Sequence, residues 1–80
     1  MMLTQLEQTG KVVGVKQTRR ALRDGRAKAV FLAHDADPAL TEPLAELAEE
    51  LNVAVVWTEH MRDLGKACGI AVGAAVAATV

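Results

Sequence analysis

The stretch "AKAVFLAH", residues 27 to 34, limits the possible folds more than any other part of this chain. It is a short apolar run between the turn signals "DG" and "DADP", and its length favours a strand over a helix. A strand without polar alternation has both faces covered, as in sheets packed by helices above and below. The rest of the chain must therefore supply helices for both sides.

It does so in order. Leu3 and Leu6 suit a short helix that Gly10 ends, and "KVVGV" is a brief β-branched strand. Thr18, Ala21 and Leu22 share one helical face, Lys16, Arg19, Arg20 and Arg23 take the others, and Asp24-Gly25 stops that helix. After the central strand, Asp37 is positioned to cap and Pro38 to fill a first helical turn. Leu40, Leu44, Leu47, Ala48 and Leu51 then form one apolar stripe, with Glu42, Glu46, Glu49 and Glu50 elsewhere. Pro43 predicts that regular helix begins only after an irregular first turn. "VAVVW" is a third strand, Thr58 is a cap for a helix holding Met61 and Leu64 and reaching "LGKACG", and "VGAAVAATV" is the last strand. The order α-β-α-β-α-β-α-β with short links predicts an α/β fold of one mixed sheet between helices, a single domain over residues 1–80. Loops gather at the ends of such a sheet, where α/β proteins tend to bind ligands.

Composition narrows the function. Half of the residues, 51%, are apolar, which excludes a disordered chain. With one Trp, one Phe and no Tyr, a base-stacking aromatic platform is excluded, so any nucleic-acid binding must rest on charge, helix termini and polar contacts. Cys68 is the only cysteine, which rules out an intrachain disulfide and a cysteine-built metal site and points to a reducing compartment. Glu7 and Gln8 interrupt what a secretory signal would need, and the apolar run from Ala67 to Val80 is shorter than the roughly 20 residues of a membrane helix. The expectation is a cytoplasmic monomer, with no membrane contact and no cofactor.

The charge is strongly divided along the chain. Lys11, Lys16, Arg19, Arg20, Arg23, Arg26 and Lys28 against Asp24 leave residues 11–28 at +6, within a chain of net charge −1. Residues 35–63 carry −7, from Asp35, Asp37, Glu42, Glu46, Glu49, Glu50, Glu59 and Asp63 against Arg62. The cationic helix has no acid before Asp24, so its charges cannot be laced into i,i+4 ion pairs. Lys16 also sits at the positive end of the helix dipole, where a cation is unfavourable by a few tenths to about 1 kcal/mol. A bound anion would compensate, and phosphate is the usual one.

"GVKQTRRAL", "VFLAHDADP" and "DLGKACGIAVGAA" stand in this order at spacings that resemble the kink-turn-binding ribosomal protein family of L-seven-Ae and L-thirty-e, in particular its short bacterial members. The likeness runs from about Gly10 to Val80. It implies a three-layer α/β/α sandwich with a four-stranded mixed sheet in the order 1-4-2-3, and recognition of a sharply bent RNA with tandem sheared G·A pairs beside a bulge. Where archaeal and eukaryotic members read G-x-N-E-x-x-K at the start of the cationic helix, Gly14 matches the glycine, Lys16 the asparagine, Gln17 the glutamate and Arg20 the lysine. Gln17 offers a guanine one neutral carbonyl where glutamate offers a charged carboxylate, while Lys16 can donate to guanine O6 or N7. The resemblance implies RNA contacts by Gly14, Lys16, Gln17, Thr18, Arg19, Arg20 and Arg23. It also implies a second contact at the loop before the last strand, where Ile70, Ala71 and Val72 cover an extruded nucleotide. Lys66 then reaches phosphate, and Asp37 approaches the same nucleotide. Some members carry arginine where Val72 stands. Ribosome association belongs to the same expectation.

Other readings of these residues are plainer. Asp35 and Asp37 are read as caps of the acidic helix, not as an acid/base or metal pair. His34 and His60 have no metal-site spacing and are read as structural. Gly65, Gly69 and Gly73 serve tight turns and close RNA approach, and Trp57 is core or part of a surface patch. The alternative function is a protein-interaction module that uses the acidic helix or the Trp57 edge. An enzyme is not expected, because no nucleophile–base pair or cofactor loop is present.

Overall fold

All five residues of the strand Ala29–Ala33 are buried, and the fold is organised around them. The computed structural model describes residues 10–80, so the helix expected around Leu3 and Leu6 lies outside the described residues. In chain order the elements are β1 (Lys11–Val13), α1 (Val15–Arg23), β2 (Ala29–Ala33), α2 (Pro38–Glu50), β3 (Ala54–Thr58), α3 (Met61–Ala67) and β4 (Val76–Thr79). They form a four-stranded mixed sheet in the order β1-β4-β2-β3. β2 runs parallel to β3, with Phe31 opposite Val56, and β4 runs antiparallel to both β1 and β2.

Alternation along β2 sends side chains to two cores. Val30 and Leu32 join Leu22 of α1, Leu44 and Ala48 of α2, and Val76 and Ala78 of β4. Phe31 and Ala33 join Leu64, Ala67 and Cys68 on the α3 side. Helices α1 and α2 thus cover one face and α3 the other, giving three layers. Phe31, Leu22, Leu32, Leu44 and Leu64 are among the largest fully buried side chains, each stabilising the fold by about 1.5–3 kcal/mol.

The local signals hold where they are short-range. Thr18, Ala21 and Leu22 are the buried face of α1, which ends at Asp24 with Gly25 at φ 74°. The Asp37 side chain accepts a hydrogen bond from Ala39 N at 2.9 Å, with Pro38 in the first turn. Five expectations need correction. α2 has no irregular first turn: it runs unbroken through Pro43, and the carbonyl of Ala39 that loses its i+4 donor lies at an exposed residue where water can replace it. Leu40 and Leu51 are 41% and 45% exposed. A 13-residue helix, about 20 Å long, overhangs five-residue strands of about 17 Å, so the ends of its apolar stripe stay outside. The last strand keeps only Val76–Thr79, because residues 72–74 turn aside to pack on α3, where Ala74 N donates to Met61 O at 3.0 Å, while the Ala75 carbonyl still accepts from Ala33 N at 2.9 Å. Thr58 is the last residue of β3 and does not cap α3. Asp35 does so from across the sheet, its Oδ1 accepting from Met61 N at 2.7 Å, and is therefore no cap of α2.

Candidate nucleic-acid interface

The strand directions bring the starts of the three described helices to one end of the sheet. β1, β2 and β3 finish there and β4 begins there, as the pairings Val13 with Ala77, Leu32 with Val76 and Ala33 with Thr58 require. The first residues of α1, α2 and α3 follow those strand ends directly. The 69–75 loop opens onto the same end, because it leads into Val76, whose carbonyl accepts from Gly14 N at 3.0 Å. That hydrogen bond ties the start of the cationic helix to the first residue of β4.

The three helix starts differ in their chemistry. Asp37 caps α2 and Asp35 holds α3, whereas α1 begins at Gly14 with no side-chain cap and no acid in its first turn. The first N–H groups of α1, which lack intrahelical acceptors, therefore keep their partial positive charge toward solvent. Gly14 has φ 102° and ψ 160°, a conformation that L side chains rarely adopt, and a Cβ there would meet nothing within 4 Å. The backbone is bare on its outer side.

Lys16, Gln17, Arg20 and Arg23 are exposed and Arg19 is half-buried. Lys16, Arg20 and Arg23 recur at i, i+4 and i+7 and form one stripe. With Arg19 and Asp24 they line an open groove along α1. Among the described residues Arg26 pairs with Asp24 at 3.6 Å and His60 Nδ1 lies 3.4 Å from Asp35 Oδ2, so the stripe itself is unpaired. Thr18 is the correction here. Its side chain is fully buried with Ala21 and Leu22, because its place in the helical period faces the sheet, and Oγ1 has no hydrogen-bond partner. It presents no side chain to a ligand.

The second expected contact is a groove lined by Lys66, Ile70, Ala71, Val72 and Gly73, together with Arg62. Ile70 and Val72 are 38% and 71% exposed, an apolar wall beside two cations. Sequence reading missed Arg62. Its signal was present in the i,i+4 spacing from Lys66, a like-charge pair on one helix face that costs a few tenths of a kcal/mol unless an anion sits between. The loop is pressed onto α3: a Cβ on Gly65 would collide with the carbonyl oxygen of Val72, and Gly69 turns at φ 77°. Gly69 serves the expected tight turn, whereas Gly65 and Gly73 serve backbone packing within the protein. Asp37 stands at this sheet end but commits an oxygen to capping α2.

The remaining polar residues fit structural roles. His34 stacks on the 39%-exposed Trp57, with ring centroids 4.6 Å apart and planes at 17°. Burial pushes the Cys68 thiol up, against a smaller opposing pull from Lys11, which leaves it a poor nucleophile. Among the described residues no three His, Cys, Asp or Glu side chains cluster as a metal site.

This arrangement coincides with a known family. The model of the ribosomal protein L7Ae/L30e/S12e/Gadd45 family matches residues 2–80. The chain belongs to that family. An RNA-binding protein of Geobacillus sp. is 51% identical over 74 residues, covering 91% of this chain and 90% of its own length. The large ribosomal subunit protein eL8 of Halobacterium salinarum is 42% identical over 74 residues, covering 90% of this chain and 62% of its own. Among solved structures, the Giardia lamblia 15.5kD RNA binding protein superposes with a TM-score of 0.91 at 25% identity, over 98% of this chain and 69% of that one. The four-stranded sheet and three helices described above are therefore the fold of the L7Ae family.

Proposed function

We propose that this member of the L7Ae family is a non-enzymatic RNA-binding protein that recognises kink-turn RNA, with residues 1–80 forming one binding domain. The open, cationic start of α1 carries the reading, since the other two helix starts are closed by carboxylates. A regular A-form major groove is too narrow to admit a helix end, so this surface selects RNA that is bent or stabilises it in that state. Lys16 and Gln17 contact the guanines of the sheared pairs beside the bare backbone of Gly14. Arg19, Arg20 and Arg23 meet the converging phosphates. Ile70, Ala71 and Val72 cover an extruded nucleotide, Asp37 approaches it, and Lys66 and Arg62 hold its phosphate. Arg62 offsets the missing arginine at the position of Val72. The carboxylates of α2 limit indiscriminate binding to polyanions.

The relatives named as RNA-binding proteins support the polyanion, and the ribosomal relative supports a ribosome-associated site of action. No helix among the described residues is long and apolar enough to cross a membrane. The deciding experiment titrates the protein against a kink-turn and against the same duplex with its sheared G·A pairs converted to Watson–Crick pairs. A preference of at least about tenfold for the kink-turn is expected, since each good base contact discriminates by about 1–3 kcal/mol. Equal affinity for both would reduce the interaction to general electrostatics.

A further inference from the structure

We propose that Asp35 is the positioning residue of the 69–73 loop: its carboxylate fixes the start of α3 and, through Met61, the half of the interface that the loop carries. Asp35 leaves the end of β2, and the sheet brings it against a helix start 26 residues later in the chain. Its Oδ1 accepts from Met61 N at 2.7 Å, and its Oδ2 lies 3.4 Å from His60 Nδ1. His60, the residue in the capping position, makes no side-chain bond to its own helix, so the acceptor comes from Asp35.

Met61 passes this constraint on. Its carbonyl accepts from Ala74 N at 3.0 Å, and a Cβ added to Gly73 would come within 3.1 Å of the Met61 Cβ. One turn further, Gly65 backs onto the Val72 carbonyl. A helix of seven residues does not sustain itself, so its orientation is set by such tertiary contacts. With Met61 N held, the first turn of α3 and the height of Ile70 and Val72 above the sheet end are held as well. The start of α1 depends instead on Gly14 N and the Val76 carbonyl. Removing the Asp35 carboxylate should therefore loosen one half of the surface and spare the other.

This role rests on the RNA reading only for what the loop contacts, so the test has an arm without RNA. Asp35→Ala and Asp35→Asn are made in the full chain and compared with the unaltered protein by amide hydrogen exchange. Each is also titrated with a kink-turn whose bulged nucleotide is intact or abasic. In Asp35→Ala, exchange at the Met61 and Ala74 amides is expected to quicken about fivefold or more, the usual effect of losing a helix cap, while Gly14 keeps its rate. Affinity for the intact kink-turn falls by a similar factor and affinity for the abasic one does not. Ile70→Ala then adds little in that background, and Asp35→Asn, which keeps a carbonyl acceptor, recovers most of the loss. Unchanged exchange at Ala74, or equal quickening at Gly14, overturns the proposal whether or not RNA binds. Quickening confined to α3 and the loop, in a protein without kink-turn preference, upholds the role of Asp35 in holding the loop and sinks the kink-turn reading alone.

Discussion

The starts of α1 and α2 stand at the same end of the sheet and on the same face, yet they are built in opposite ways. α2 completes itself: Asp37 accepts from Ala39 N, Pro38 needs no acceptor for an N–H it lacks, and no cation follows in the first turn. α1 has a glycine at the capping position, no side-chain acceptor, and Lys16 against its own dipole. A helix start optimised for stability would look like α2. With glycine at the cap, α1 forgoes a few tenths of a kcal/mol of capping and adds a small electrostatic penalty, and the deficit is relieved by an anion from outside. Local disagreement between sequence and stability is where a binding surface is expected.

The contrast can be broken or sharpened by substitution. Lys16→Glu has the largest expected effect, because it gives α1 the acid that its first turn lacks. Kink-turn affinity should fall by about a hundredfold. Thermal unfolding should meanwhile show a gain of about 0.3–1 kcal/mol. A loss in both measurements would remove the distinction between the two helix starts. Arg20→Ala and Gln17→Ala should each weaken kink-turn binding about tenfold in a filter or fluorescence titration and shift stability by no more than about 0.5 kcal/mol. Asp37→Ala tests the other helix: urea unfolding should report a loss of about 1 kcal/mol, most of it restored by Asp37→Ser, which also caps. No loss would mean that α2 does not depend on its cap. Glu46→Ala, on the exposed side of α2, should leave RNA binding unchanged and stability within about 0.5 kcal/mol. Were this the substitution that damaged function, the acidic helix and the exposed Trp57 would become a protein-binding face.

What could be read from the chain was what its neighbours in sequence decide. The apolar run of β2 demanded cover on both faces. The spacing of Thr18, Ala21 and Leu22 set which side of α1 is buried, and Asp37-Pro38 marked where α2 begins, since periodicity and capping act within a few residues. The same rule put Thr18 in the core, although the family resemblance had grouped it with the binding residues.

The sheet order β1-β4-β2-β3 decided the rest. It brought Asp35 to Met61, made Thr58 a strand residue, drew Val72 to Ala74 out of the last strand and set Arg62 beside Ile70 in one groove. Such contacts join residues far apart in the chain through strand pairing and helix packing, and no local pattern of residues encodes them. The sequence by itself therefore determined which segments become strands and helices and where the positive charge lies. Only the folded chain decided that α3 is closed by Asp35, a carboxylate 26 residues away, and that the open start of α1 and the 69–75 loop meet at one end of the sheet.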